Sequence, residues 1–378
     1  MTAWPPLGRG EEAGDSGMEI WILGATGRIG RLVASGLAAA GASVVLVGRD
    51  SASLSSLAET IGGASRTVTI ASFEAIAAEL DRAGPVVVAN LVGPFAQTAL
   101  PIASAVAPGG GYLDLSNELP AITEILGLQQ TAAATNRCLV SGAGWGVLAA
   151  ESVVLKLCGD RPPAARVRVD VAPFIDSPGL LGPTLAATVI EGIPAGTFVY
   201  EGGRQVRAGL GSHPERLVAP DGSNIATGAV GSGDLEAVRR ASGADAVVAA
   251  STMAPSSPLI RALMPAVEAA FALRPVREFA KRRLSNVNIP PAKGPPRPSW
   301  AHARVEWPDG SVREAWLRAG EGMAFTAKVA TEVALRLSRG EGRPGAFTPG
   351  ALFGPELAET AGGVFVLGES LARSGETG

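Results

Sequence analysis

The sequence predicts a two-domain α/β protein, with a doubly wound parallel sheet first and then an α+β domain on a mainly antiparallel sheet. Three observations carry this prediction. From Glu19 short apolar runs alternate with amphipathic stretches of helical length, the pattern of βαβ units. After Trp145 the runs lengthen, alternate polar with apolar residues, and are divided by Gly/Pro-rich loops. The length, 378 residues, is more than one ordinary core organises and comfortable for two.

In the first domain we read strands at Glu19–Leu23, Ser43–Val47, Thr67–Ile70, Val86–Asn90, Tyr112–Leu115 and Cys138–Ser141. Helices fall between them at Arg28–Ala40, Ser53–Ile61, Phe73–Arg82, Gln97–Ala107 and Ala121–Asn136. Strands as continuously apolar as Val86-Val87-Val88-Ala89 imply burial on both faces, which a doubly wound sheet provides. In the second domain Arg166–Phe174 alternates Val167, Val169 and Val171 with Arg166, Arg168 and Asp170. Phe198–Arg207 around Gly202-Gly203, and Ala301–Arg318 around Asp309-Gly310, read as hairpins from their turn residues. Pro290 to Pro298 reads as a stiff extended connector, and a long helix follows at Met323–Ser338. Residues 1–17 and 368–378 read as tails.

The first strand runs into Gly24-Ala25-Thr26-Gly27-Arg28-Ile29-Gly30, a G-x-x-G-x-x-G turn that opens a helix, as in Rossmann-like domains. Glycines at this spacing let the chain turn tightly, admit a pyrophosphate to the backbone and pack helix on strand. The helix N-terminus supplies N–H groups and the positive end of its dipole. The second strand ends Val47-Gly48-Arg49-Asp50, where the adenosine ribose is met. An acid there accepts from a 2′-hydroxyl and selects NAD, whereas an Arg fork pairs with a 2′-phosphate. Arg49 therefore points to NADP(H), with Asp50 leaving room for dual use. After the fourth strand, Val92-Gly93-Pro94-Phe95 stands where open α/β sheets bind ligands, and Phe95 offers an apolar wall.

Composition narrows the function. A net charge of -3 lacks the basic footprint of a nucleic-acid binder. No apolar run reaches the ~20 residues of a membrane span, and the start lacks a signal-peptide pattern, so a cytoplasmic location is expected. Cys138 and Cys158 sit in apolar surroundings without metal-ligand spacing and read as buried thiols. A homodimer is compatible with the sequence, which fixes no oligomeric state.

Four segments in order, namely the Gly24–Gly30 turn with Val47–Asp50, Val92–Phe95, Gly111-Tyr112-Leu113-Asp114-Leu115-Ser116-Asn117-Glu118, and the tail helix with Gly345-Ala346-Phe347-Thr348-Pro349, resemble the saccharopine dehydrogenase-like family, including its trans-acting enoyl reductases. The resemblance spans nearly the whole chain and is least between Ser177 and Pro298. It implies that Val92–Phe95 lies along the cofactor near the nicotinamide. It also implies that the tail helix returns to the first domain, which would then comprise residues 18–144 and 323–367 around a substrate domain at 145–322. One departure stands out. Where the family often carries an acid after the sixth strand, this chain reads Gly142-Ala143-Gly144-Trp145-Gly146, which makes a flatter and more apolar pocket.

Hydride transfer is the cofactor's chemistry, and the protein's task is to position it and exclude water. A Tyr-x-x-x-Lys pair is absent, since Tyr112 is followed at the fourth place by Ser116 and Tyr200 by Arg204. His213 reads as a surface residue and His302 as a strand residue beside Arg304 and Glu306. Tyr112 is the better-placed proton donor and Trp145 the expected wall of the substrate site; the competing readings are a structural phenol and a core indole. Asp114 and Glu118 read equally well as a helix-capping pair around Ser116. The expected function is an NADPH-dependent oxidoreductase acting on a conjugated C=C or C=N bond of a small to medium metabolite, as in secondary metabolism. The alternatives are a saccharopine-type amino-acid or imine dehydrogenase and a non-catalytic NADP(H) sensor or scaffold.

Overall fold

The computed structural model describes residues 19–367 apart from 71, 177, 181–185, 187–189, 191–195, 256 and 291–296. Both expected tails and most of the proline-rich connector lie outside the described residues. The chain divides into two compact units, residues 1–116, 120–144 and 323–352 in one and 117–119, 145–322 and 353–378 in the other.

The first unit runs β1 (Ile20–Leu23), α1 (Arg28–Ala39), β2 (Val44–Gly48), α2 (Ser51–Ile61), β3 (Ser65–Thr69), α3 (Phe73–Ala83), β4 (Val87–Asn90), α4 (Phe95–Ala105), β5 (Gly111–Asp114), α5 (Leu119–Gly127), α6 (Gln129–Ala134) and β6 (Cys138–Val140). The segment read as one helix over Ala121–Asn136 is thus two, broken at Leu128, whose ψ of 6° leaves the helical range. Every residue of β1, β4, β5 and β6 is buried, whereas β3 at the sheet edge has no buried residue. That contrast follows from position, because only interior strands are covered on both faces.

The second unit contains α7 (Trp145–Cys158), β7 (Arg166–Ala172), β8 (Gly179–Leu180), β9 (Thr197–Glu201), β10 (Arg204–Ala208), β11 (Glu215–Val218), β12 (Asn224–Ala229), α8 (Asp234–Ser242), β13 (Ala246–Ser251), α9 (Pro258–Phe271), α10 (Arg274–Ser285), β14 (Asn288–Ile289), β15 (Ser299–Glu306) and β16 (Val312–Ala319). Its main sheet runs β10-β9-β13-β7-β15-β16 and is antiparallel except for the β13–β7 pair. Both expected hairpins are present. Gly202 and Gly203, with φ of 55° and 74°, supply the positive-φ pair that a tight two-residue turn requires.

The chain then returns through α11 (Gly322–Ser338) and β17 (Gly345–Phe347) to the first unit. There α11 lies against α1, so that a Cβ on Gly36 would come within 3.0 Å of the Thr331 hydroxyl. β17 adds a seventh strand beside β6, which gives the fully parallel order β17-β6-β5-β4-β1-β2-β3. The last elements are α12 (Pro349–Phe353), α13 (Glu356–Thr360) and β18 (Val364–Leu367). Here the structure corrects the expected boundary: β18 pairs with β16, so the return to the first unit ends at residue 352 and not at 367.

Candidate functional site

Two loops meet at the carboxyl end of the first sheet. Gly24 has φ +79°, and a Cβ there would stand 3.0 Å from Val92 Cγ2 and 3.2 Å from the Leu91 carbonyl. The glycine turn and the Val92 loop therefore adjoin, with no room for a side chain between them. A Cβ on Gly30 would fall 2.3 Å from the Gly24 carbonyl oxygen, so this glycine is required by the fold of the turn itself. Gly27 differs, since it is exposed and its Cβ would meet nothing nearer than 3.2 Å.

Helix capping separates α1 from its neighbours. Asp50 caps α2 by accepting from Ala52 N–H at 3.1 Å and Ser53 N–H at 3.5 Å, and Ser72 caps α3 by accepting from Ala75 N–H at 3.3 Å. α1 follows Gly27, which as N-cap provides no side-chain acceptor for the first N–H groups of the helix. Thr26 holds this turn through its carbonyl, which accepts from Arg31 Nε at 3.1 Å, while Arg28 is exposed and Ile29 half-buried.

Arg49 follows β2, exposed and without an ion pair among the described residues. Asp50 beside it also accepts from the Ser53 hydroxyl at 2.8 Å, and those bonds hold its carboxyl below the usual range. Of the two residues at the strand tip, the acid is committed to a cap and the guanidinium is not.

Behind the loops lies a buried polar chain. Asn90 at the end of β4 donates through Nδ2 to Thr98 Oγ1 and to the Tyr112 hydroxyl, each at 3.2 Å, and accepts the Val92 N–H at 3.1 Å. Thr98 returns a bond to the Val92 carbonyl at 2.5 Å. Gly93 and Pro94 join through a cis peptide and lead into α4 at Phe95, whose ring packs with Val92 on the core of this unit.

Tyr112 is fully buried and donates to Asp114 Oδ2 at 3.0 Å. Burial first, and the Asp114 charge second, push the phenol well above its ordinary value. Asp114 also accepts from Ser116 N–H at 2.9 Å, Gly142 N–H at 3.0 Å and the Ser141 hydroxyl at 2.9 Å, tying the ends of β5 and β6 together. Burial still raises its carboxyl despite these donors. Asp114 thus serves this hub, and the backbone at Glu118 forms a β-bridge with Ser232.

In the second unit Trp145 is buried as the first residue of α7, with the Asn117 side chain against the adjacent Gly146. Asp234 opens α8. It is fully buried, and neither carboxylate oxygen makes a hydrogen bond. Burial pushes it up to about 6, only partly offset by the nearby Ser232 hydroxyl and the N–H groups of Asp234 and Leu235. In sequence it looks like any acid in a first helical turn, and only its burial reveals it. His213 is exposed at φ 49°, while His302 is buried between Asp170 (Nδ1 to Oδ2, 3.4 Å) and Glu314 (Nε2 to Oε2, 3.7 Å) and lies on Trp316 at 4.5 Å. Cys138 and Cys158 are buried, with thiols pushed up to about 12 and about 11 by desolvation. Among the described residues no cluster of His, Cys, Asp and Glu could hold a metal, and no helix is long and apolar enough to cross a membrane.

No family model matches the chain, and no curated protein matches its sequence. Solved structures do. An apo saccharopine dehydrogenase (L-Glu forming) from Saccharomyces cerevisiae is similar over 94% of this chain and 100% of its own, at 13% identity and a TM-score of 0.58. A short-chain dehydrogenase from Sphingobium yanoikuyae in complex with NADPH aligns with 32% of this chain and 70% of its own, at 19% identity and TM-score 0.27. A hydroxysteroid dehydrogenase from Escherichia coli aligns with 33% and 70%, at 19% identity and TM-score 0.30. The last two touch only about a third of the chain, whereas the first follows both units, and so the chain has the saccharopine dehydrogenase-like fold.

Proposed function

We propose that this protein is an NADP(H)-dependent oxidoreductase that transfers hydride to a conjugated C=C or C=N bond of a small to medium, largely apolar metabolite, as in secondary metabolism. The observation that carries the cofactor assignment is the division of labour at the tip of β2. Asp50 spends its carboxylate on the α2 cap, leaving Arg49 exposed and uncommitted for a 2′-phosphate. Gly24, Thr26, Gly27, Arg28, Ile29 and Gly30 would hold the pyrophosphate on the uncapped N-terminus of α1. Val92, Gly93, Pro94 and Phe95 would line the nicotinamide side. When bound, the cofactor supplies the hydride.

Tyr112 serves this reading as a positioning residue. Its proton is committed to Asp114, and its hydroxyl accepts from the Asn90 amide that fixes the Val92 loop. Asp234, in the second unit, is a buried carboxyl that desolvation raises to about 6. Trp145 remains the proposed apolar wall.

Titration with both cofactors tests the assignment. Arg49→Ala is expected to weaken NADPH about 10- to 150-fold, as the loss of one charge-assisted pair does, and to leave NADH within a few fold. Equal affinities of the unmodified protein for the two cofactors would overturn it. Gly27→Val is the informative companion, because Gly30→Val disturbs the turn before any ligand arrives.

A further inference from the structure

The consecutive helices α9 and α10 in the second unit have no buried residue in either. The first helix is turned the wrong way for an ordinary surface helix. Arg261 donates to the Gly211 carbonyl at 3.1 Å and Glu268 pairs with Arg207 at 3.0 Å, so the charged side of α9 faces the rest of its unit. The opposite side, Leu259, Leu263, Ala266 and Ala270 at helical spacing, is exposed and carries no charge. Leu259 is 72% and Leu263 57% exposed, with Ile260 at 50% and Leu273 of the connecting turn at 60%. A soluble surface normally scatters such residues singly, whereas a contiguous apolar row marks an interaction face.

Charge identifies what it meets. Residues 258–285 hold six basic side chains and two acidic ones, on a chain whose net charge is -3. Both acids are already paired, Glu268 with Arg207 and Glu278 with Lys281. Arg274, Arg282 and Arg283 are exposed and form no ion pair among the described residues, and Arg283 covers Phe279, itself 62% exposed. Exposed leucines and a phenylalanine rimmed by unpaired arginines form the pattern of a helix lying in a membrane interface, apolar side among the acyl chains and cations at the headgroups. At about 21 Å, α9 is long enough to lie along a bilayer and too short to cross it.

We infer that the α9–α10 segment docks this protein peripherally on an anionic lipid bilayer. The inference does not rest on the proposed reaction. The full chain is sedimented with vesicles of phosphatidylcholine alone and with ~30% phosphatidylglycerol. Binding is expected to the anionic vesicles, to weaken in high salt, and to fall about tenfold or more in Leu259→Ser/Leu263→Ser. Arg282→Gln and Arg283→Gln are each expected to cost about fivefold, the equivalent of one juxtamembrane cation. Circular dichroism and NADPH titration check that the variants stay folded. Failure to bind anionic vesicles, or binding that the leucine pair does not change, overturns the inference. So does a dimer in light scattering that the same pair abolishes, since the face would then belong to a second copy.

Discussion

Asp114 in the first unit and Asp234 in the second are both fully buried, yet one carboxylate is surrounded by donors and the other makes no hydrogen bond. The first fixes the ends of two strands and so has a structural return for its burial. The second carries the cost of burial without such a return. Burial by itself therefore does not say what a carboxylate is for; its partners do.

The sharpest way to break this comparison is to delete Asp114. Asp114→Ala would strand the Tyr112 and Ser141 hydroxyls and the N–H groups of Ser116 and Gly142 in the interior. Orphaning several buried donors is expected to cost about 4 kcal/mol or more, read as a fall in unfolding free energy in denaturant titrations. Asp114→Asn keeps an acceptor and should cost distinctly less. Equal stability of the alanine variant and the unmodified protein would show that the hub is dispensable.

Asp234 should behave in the opposite sense. Its carboxyl is raised in the folded protein to about 6, above the unfolded value, so stability is fully present below pH ~4 and is lost as pH rises through 6. Above that pH the penalty amounts to about 2–3 kcal/mol. Asp234→Asn removes the charge with little change of shape and is expected to stabilise the protein by up to that amount at pH 8, and to flatten the loss between pH 4 and 7. A destabilised variant with an unchanged pH profile would mean that Asp234 has a partner in solution.

The same two aspartates measure what a sequence discloses. The parallel sheet was legible because buried strands are apolar runs, and the hairpins because Gly202-Gly203 and Asp309-Gly310 have few other uses. The glycine turn was legible because two of its glycines, Gly24 and Gly30, stand where a side chain has no room. β17 was not: Gly345-Ala346-Phe347 has no strand pattern and pairs only because the edge of β6 is open to it. Asp50 was equally silent, since whether an acid at a strand tip faces a ribose or caps the next helix depends on where that helix begins. It begins at Ser51, two residues before the Ser53 expected. Asp114 read as a capping acid near an element boundary, because its partners Ser141 and Gly142 lie 27 and 28 residues away and leave no local trace.

His302 gives the smallest expected effect and the most easily separated one. Burial opposes its charge, but its hydrogen bonds to the Asp170 and Glu314 carboxylates outweigh that and raise it above the ordinary imidazole value. Asp170 is held on its other side by Arg168 at 2.7 Å and Thr227 at 2.6 Å, so it can share only part of its charge with the ring. Glu314 is likewise shared with Arg304 at 3.3 Å. The sign follows from the raised value: the imidazolium's contribution is complete below the unfolded pKa near 6.5 and disappears as pH rises through the folded one. This window lies above that of Asp234, so one set of melting curves from pH 4 to 9 resolves both. Long contacts to two partners that are already engaged imply a modest contribution, and the fall in Tm above neutral pH should be small. His302→Gln should abolish it while leaving the step between pH 4 and 6 intact, whereas Glu314→Gln should only reduce it. If the fall persists in His302→Gln, the ring is neutral in the folded state and is held by its stacking on Trp316 alone.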